Sequence, residues 1–162
     1  MNNFILLITA TCTALISGLL YSYSCSVNIG LGRLPDRYYI AAMQAINSAI
    51  LNPMFFVSFI GTLLLLPLCT YLEYHQSPSF RFWLLLSASV LYLTGVFGTT
   101  MIYNVPLNNM LAGFDLNAAS ETEILNMRIK FENPWLFFHT IRTIGAVLCL
   151  LLVLVSLIFK LK

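Results

Sequence analysis

Charged residues divide the chain into long apolar stretches. No Asp, Glu, Lys or Arg occurs in residues 1–32, 38–72 or 82–114, and Arg142 is the single charge in residues 133–159. Each stretch exceeds the roughly 20 apolar residues that a helix needs to cross the hydrocarbon core of a bilayer. The pattern therefore predicts an all-α, integral membrane four-helix bundle, with spans at about residues 4–23, 53–71, 80–103 and 134–159.

The segments between the spans carry repeated helix-start signals. Asn52–Pro53 predicts the start of the second span, because Asn is a strong N-cap and Pro suits the first turn. The same signal at Asn104–Val105–Pro106 predicts a short helix at residues 106–111, and at Asn133–Pro134 it predicts the start of the last span. Two further short helices are expected in the loops. Residues 38–51 would lie in the interface or form the polar beginning of the second span, and residues 121–131 would lie on the surface.

Composition excludes several classes of protein. Hydrophobic residues make up 59% and charged residues 9% of the 162 residues, whereas about a quarter of a soluble domain is charged. Four spans leave no room for a second domain, so we expect residues 1–162 to form a single membrane domain. The net charge of +2, without a basic run, predicts no nucleic-acid partner. The first residues lack a positive segment, so we expect a retained span rather than a cleaved signal peptide.

The orientation depends on a small difference in basic residues between the two sides of the membrane. Lys160 and Lys162 directly follow the last span, whereas Arg128 and Lys130 lie in a longer loop. We therefore expect both termini, and a turn at residues 73–79, on the cytoplasmic side of a bacterial plasma membrane.

Arg142 is the first candidate for function, because a charge at membrane depth is expensive and rarely idle. Helical spacing puts Trp135, His139, Arg142, Ala146 and Cys149 on one face. Two interpretations stay open. The guanidinium could reach the interface and bond backbone carbonyls, or it could hold an anion or a carbonyl oxygen, with His139 as a proton acceptor.

Polar side chains from the other helices lie at the same membrane surface by this topology. They are Ser24, Gln44, Asn47, Asn104 and Asn108. Such convergence builds a binding pocket in a helical bundle, but it also satisfies the buried polar groups of a bundle, and Asn104 could simply cap the short helix.

Metal-binding residues are scarce. His75 and His139 are the two histidines, they lie at opposite ends of the bundle, and no acid lies inside a predicted span. A zinc or di-iron site needs three or more convergent ligands. We therefore predict no metal and no cofactor, although a haem with a single histidine ligand stays compatible with the sequence.

Several segments resemble the anthrone oxygenase-like membrane family over nearly the whole chain. They are Tyr23–Val27, Met43–Asn47, Ile50–Pro53, Gly95–Gly98, Asn104–Asn108 and Trp135–Thr143. The last resembles the closing Trp-x-x-Trp-Asn-x-x-Arg-Thr segment of the family, with Phe138 in place of the second Trp and His139 in place of the Asn. If that Asn binds a ligand, the substitution changes the ligand or the chemistry.

The resemblance implies a four-span protein and a reaction class. Fungal members oxidise anthrones to anthraquinones with molecular oxygen, and most bacterial members have no assigned activity. The expected function is therefore a membrane oxidoreductase or oxygenase, independent of a cofactor, acting on a flat aromatic molecule that is anthrone- or quinone-like. The roles implied are a base (His139 or Tyr103), oxyanion donors (Arg142 with Asn104 or Asn108) and ring-stacking residues (Trp135 and Phe138).

Whether the protein is an enzyme stays open at this point. A non-enzymatic bundle that binds small molecules or lipids, and a partner subunit of a membrane assembly, fit the same sequence. All three functions imply a hydrophobic small molecule or the lipid bilayer as partner, and a homo-oligomer is compatible with each.

Overall fold

The computed structural model describes residues 3–75 and 79–159, and these residues form helices without a strand. Four helices are long and apolar enough to cross a membrane, which confirms the all-α, four-helix membrane architecture. In chain order the helices are α1 (Phe4–Leu31), α2 (Asp36–Ala49), α3 (Pro53–Tyr74), α4 (Phe80–Ala112) and α5 (Glu121–Ile158). The predictions for Ser77, Pro78, Lys160 and Lys162 lie outside the described residues.

Helices α3, α4 and α5 begin at side-chain caps. Asn52 Oδ1 accepts a hydrogen bond from the Phe55 amide at 3.1 Å, which confirms the predicted start of α3. Ser79 Oγ caps α4. At α5, Ser120 and Glu123 form a reciprocal capping box, which satisfies two backbone donors that the first turn leaves unpaired.

The other two proline signals have different outcomes. At Asn104–Val105–Pro106 the predicted short helix is confirmed, because an α-helical segment, Val105–Ala112, begins there with the proline in its first turn, although this segment continues the long helix α4. The predicted helix start at Asn133–Pro134 is wrong, because α5 begins at Glu121 and passes through Pro134. The predicted surface helix at residues 121–131 is not a separate element, because it is the first part of α5. Membrane helices tolerate an internal proline when neighbouring groups satisfy the freed carbonyl or the helix widens locally. In α4 the widening is a π-helical segment, Thr100–Asn104, directly before Pro106.

The four long helices form a closed ring. Helix α1 packs against α3 and α5, and α4 packs against the same two helices. The closest approach of α4 and α5 is at two glycines: a Cβ atom on Gly145 would lie 3.5 Å from the carbonyl carbon of Gly95. Small residues permit such close packing in a membrane, where dispersion contacts drive association.

Helix α2 closes one end of the bundle. Its buried face, Tyr39, Ile40 and Met43, packs against the ends of α4 and α5 in a second apolar core that includes Leu111 and Phe131. Burial raises the pKa of the Tyr39 hydroxyl, which therefore stays protonated. Of the two sequence interpretations of this segment, the structure favours a separate helix that packs on the bundle.

Arg128 ties the loop between α1 and α2 to α5. Its guanidinium donates hydrogen bonds to two backbone oxygens and two carboxylates, those of Gly32, Leu34, Asp36 and Glu132, at 3.0, 2.7, 2.8 and 2.7 Å respectively. Arg128 Cζ also lies 4.4 Å from the centroid of the Tyr39 ring. These contacts fix the position of α2 over the end of the bundle.

An acid lies inside the bundle at the opposite end, contrary to the sequence prediction. Helix α3 extends through Glu73, whose side chain is fully buried, and Glu73 Oε2 lies 3.9 Å from Nε of the buried Arg81. Glu73 was predicted in a turn, because charged residues that flank apolar stretches usually lie at the surface. The two residues form a buried ion pair without a direct hydrogen bond between these atoms, and Ser79 Oγ donates to the other carboxylate oxygen of Glu73 at 3.3 Å.

Candidate functional site

A cavity of about 100 Å³ lies between α1, α4, α5 and the elbow that joins α2 to α3. Its wall is mostly apolar with a few polar side chains, as in most small-molecule sites. The lining residues are Leu19, Leu20, Tyr23, Ile46, Asn47, Ile50, Leu51, Phe55, Thr100, Val105, Asn108, Trp135 and Arg142.

The structure places Arg142 on the wall of this cavity. Its Nε and Nη2 atoms lie 3.3 and 3.1 Å from His139 Nδ1, and its Cζ lies 5.1 Å from the centroid of the Trp135 ring. None of the ion pairs in residues 3–75 and 79–159 includes Arg142. The guanidinium is therefore held by a neutral partner and a ring face, and its positive charge is not neutralised by a carboxylate.

His139 links Arg142 to a chain of hydroxyl groups. Its side chain is buried, and Nε2 lies 3.0 Å from Ser24 Oγ and 3.4 Å from Thr143 Oγ1. Because Nδ1 faces the donors of Arg142, it must be the acceptor, and the ring hydrogen is then on Nε2, which donates to a hydroxyl. The lone pair that would make His139 a base is thus occupied by the guanidinium.

Two asparagines fix the Trp135 side chain and its backbone. Asn108 Oδ1 accepts a hydrogen bond from Trp135 Nε1 at 2.8 Å, and Asn104 Nδ2 donates to the Trp135 carbonyl at 3.3 Å. Asn104 does not cap a helix with its side chain. The Trp135 ring in turn stacks on His139, with centroids 4.9 Å apart and an interplanar angle of 7°.

Asn47, a residue of the cavity wall, has an unpaired buried donor. Its Nδ2 atom is buried and has no hydrogen-bond partner among the described residues, although the residue lines the cavity. A buried amide donor without a partner costs about 1–3 kcal/mol. With Arg142 on the same wall, it creates a place for an acceptor atom of a ligand.

Six of the residues predicted for the site do not line the cavity, and one of them, His139, lies behind Arg142 as described above. Tyr103 and Phe138 stack on each other at 3.9 Å, and Tyr103 is 44% exposed. Gln44 Nε2 donates to the carbonyls of Leu111 and Phe114, which ends α4. Ser24 lies behind His139. Asn104, which also is not part of the wall, supports Trp135 as described above.

Sequence reasoning missed Tyr23 and Thr100 as lining residues. Tyr23 begins the π-helical segment Tyr23–Val27, and Thr100 begins the one that ends at Asn104. A π-turn inserts one residue and rotates the residues that follow, so the α-helical spacing used to assign faces does not apply there. Such segments are frequent at functional sites.

No group of three or more His, Cys, Asp or Glu residues that could hold a metal ion occurs within the part of the chain that the structure describes. Both ring nitrogens of His139 are engaged, by Arg142 and by Ser24. A haem would therefore have to displace one of these contacts.

Comparison with curated proteins finds no match, and comparison with solved structures finds none. The model of one protein family, described as anthrone oxygenase, matches residues 48–152. This match covers about two thirds of the chain and includes Asn108, Trp135, His139 and Arg142. The chain, with its four spans and the segment around Arg142, therefore belongs to the anthrone oxygenase family.

Proposed function

We propose that the protein is a membrane oxidoreductase that uses molecular oxygen to oxidise a flat aromatic molecule, anthrone- or quinone-like, in the cavity beside Arg142. The observation that carries the proposal is that this guanidinium lacks a carboxylate partner. It lies on an aromatic-lined wall with no carboxylate partner among the described residues, and a charge kept unpaired at membrane depth is usually functional.

The chemistry of an anthrone needs such a charge. The CH₂ carbon opposite the carbonyl loses a proton, and the resulting anion is rich enough in electrons to react with oxygen. One oxygen atom becomes the second carbonyl of the product and the other leaves as water. Donors directed at the developing oxyanion lower the barrier of this kind of reaction. Arg142 is the first of these donors, and the unpaired Asn47 amide is the second.

The size of the cavity indicates how such a molecule would enter. A cavity of about 150 Å³ holds one benzene ring, and the cavity here is about 100 Å³. Since the cavity is smaller than one ring, we infer that only the carbonyl edge of the substrate reaches Arg142, while the rings lie at the opening near Leu51, which is 65% exposed. A hydrophobic substrate would then arrive from the lipid rather than from water.

Oxygen uptake by the purified protein in lipid nanodiscs tests the proposal. With anthrone as substrate, we expect uptake and the formation of anthraquinone. Arg142→Gln should lower the rate by about a hundredfold, the usual effect of removing one oxyanion donor. Arg33→Gln is the matched control, since Arg33 is exposed in the loop after α1. No uptake by the wild-type protein, or equal loss in both variants, contradicts the proposal.

A second candidate function is binding without turnover, as a small-molecule or lipid-binding bundle or as a subunit of a membrane assembly. The observation that favours it is the engagement of His139 Nδ1 by Arg142, which leaves no histidine free as a base. Anthrone that binds to the nanodiscs with Arg142-dependent affinity, but without oxygen uptake, would select this function over the enzyme.

We also propose that the protein lies in a bacterial plasma membrane with both termini in the cytoplasm. The support is the distribution of basic residues given above. A fluorescent protein fused to the C-terminus should fluoresce, and alkaline phosphatase fused there should be inactive. The reverse result would invert the orientation and leave the geometry of the cavity unchanged.

A further inference from the structure

We propose that the cavity ionises its ligand: the Arg142 guanidinium binds the deprotonated oxygen of an acidic hydroxyl group on an aromatic ring. The ligand class is then that of phenols and of the enol tautomers of aromatic ketones, bound as oxyanions. This inference rests on the cavity used by the proposed function. It adds that no side chain of the protein has to act as the base.

The wall of the cavity carries a positive charge and no negative one. Its lining residues include no Asp or Glu. The titratable or charged groups that face the bound oxygen are Tyr23 from α1 and Arg142 from α5, with His139 behind Arg142. The other elements contribute neutral side chains to the wall. An anion placed here therefore meets one uncompensated cation.

The partner of Arg142 preserves this charge. A carboxylate in the position of His139 would neutralise the guanidinium, whereas an imidazole orients it through Nδ1 and adds no charge. Protonation of Nδ1 would point a third N–H group at the two donors of Arg142, so the contact itself favours the neutral ring. Ser24, 3.0 Å from Nε2, holds the hydrogen on the other nitrogen.

Asn47 is a second candidate donor for the ligand oxygen. Asn47 Nδ2 is buried, lacks a hydrogen-bond partner among the described residues, and belongs to a residue of the cavity wall. Asn108 Oδ1, the side-chain oxygen of a wall residue from α4, already accepts from Trp135 Nε1 at 2.8 Å and makes no hydrogen bond to Asn47. Two donors from different helices, one of them charged, suit an oxyanion.

Ionisation needs no oxidant and no co-reactant. The O–H bond of the ligand breaks, the proton passes to water at the membrane surface, and the electron pair stays on the oxygen beside Arg142. For an anthrone, the enol tautomer provides this hydroxyl group. The resulting anion is the species that the proposed oxidation consumes.

Two effects oppose each other in the cavity. Burial alone raises the pKa of a phenol, whereas an opposite charge within about 4–6 Å lowers the pKa of an acid by about 1–3 units. Comparison of the wild-type protein with Arg142→Gln in the same nanodiscs removes the effect of burial, since the cavity is otherwise the same. The remaining difference in the pKa of the bound ligand reports the charge of Arg142.

The probe is 4-nitrophenol, a single-ring acid whose ionised form absorbs visible light. We expect the pKa of the bound probe to be about 1–3 units lower in the wild-type protein than in Arg142→Gln. His139→Asn retains a neutral acceptor and should keep most of this difference. His139→Glu supplies a carboxylate and should abolish it although Arg142 is present. Arg33→Gln should titrate as the wild type does, and thermal unfolding verifies that each variant is folded.

Equal probe pKa values in the wild-type protein and Arg142→Gln would overturn the inference. So would a lowered value that persists in a folded His139→Glu variant, since the positive charge would then not be the cause. The outcome is separable from that of the proposed function. A lowered pKa without oxygen uptake upholds the ionising cavity and refutes the oxidase, and uptake without a lowered pKa does the reverse.

Discussion

Replacement of Arg128 by alanine should destabilise the protein more than the loss of any other basic residue at this end of the bundle. The side chain is 13% exposed and bonds two carboxylates and two backbone carbonyls. An exposed ion pair contributes about 0–1 kcal/mol, whereas removing one partner of a buried pair costs about 3–5 kcal/mol. The partner carboxylates are 37% and 20% exposed, so water can compensate part of the loss.

We therefore expect Arg128→Ala to cost about 2–3 kcal/mol, between these two limits. For a chain of this size, each kcal/mol lowers the melting temperature by about 2–4 °C, so the expected decrease is about 4–12 °C. Thermal unfolding of the protein in detergent, followed by intrinsic fluorescence, measures it. Lys130→Ala is the control, because Lys130 is exposed two residues further along the same helix and should unfold like the wild type.

The same variant should also weaken the site. Arg128 bonds Asp36 at the start of α2, and α2 carries Asn47 into the cavity wall. Loosening α2 should therefore lower the affinity for 4-nitrophenol without changing Arg142. If Arg128→Ala and Lys130→Ala unfold within about 2 °C of each other, less than one kcal/mol on the scale above, the reasoning about this cluster is wrong.

Three further predictions concern positions away from the cavity. Gly145→Ala should leave the melting temperature nearly unchanged, because the added Cβ makes ordinary contact with Gly95. Gly145→Leu should abolish the peak of folded protein in size-exclusion chromatography. Equal yields of the two folded variants would show that the helices are not in close contact. Arg81→Leu should cost about 3–5 kcal/mol because it leaves the buried Glu73 with the Ser79 hydroxyl but without an opposite charge. The double replacement of both residues by leucine should be more stable than Arg81→Leu alone, and a double variant that unfolds at the lower temperature would argue against a buried pair. Gln44→Leu should cost about 1–3 kcal/mol in thermal unfolding by removing two hydrogen bonds to carbonyls at the end of α4, whereas Gln44→Glu, which cannot donate to them, should cost at least as much.

The number and type of helices could be predicted because a bilayer imposes strong conditions on sequence. A span must be about 20 residues long and satisfy its own backbone hydrogen bonds. Local chemistry at Asn52–Pro53 also determined a helix start correctly. The same chemistry failed at Asn133–Pro134, because the contacts of Arg128 and the capping box at Ser120 stabilise a helix that begins 13 residues earlier. The contacts of Arg128 are tertiary, and the sequence alone does not reveal them.

The depth of Arg142 followed from the sequence, but the partners of the site did not. Tyr103 was expected to be a base of the site, but it lies in the π-helical segment Thr100–Asn104, where α-helical spacing does not apply, and its ring stacks on Phe138. The burial of Glu73 was missed for a related reason, since its pairing with Arg81 bridges two helices. Periodicity along one helix carries no information about either effect.

The substitution of His139 for the Asn of the family pattern acquires a physical meaning from these contacts. Asn and neutral His are chemically different, but each can offer an uncharged acceptor to an arginine three residues later. In this chain the acceptor is Nδ1, 3.1 Å from the guanidinium. If the position were selected for a base, Asn could not serve there, since an amide does not take up a proton near neutral pH. If it is selected to orient Arg142 without neutralising it, both residues serve, and an acidic residue is the substitution that this site should not tolerate.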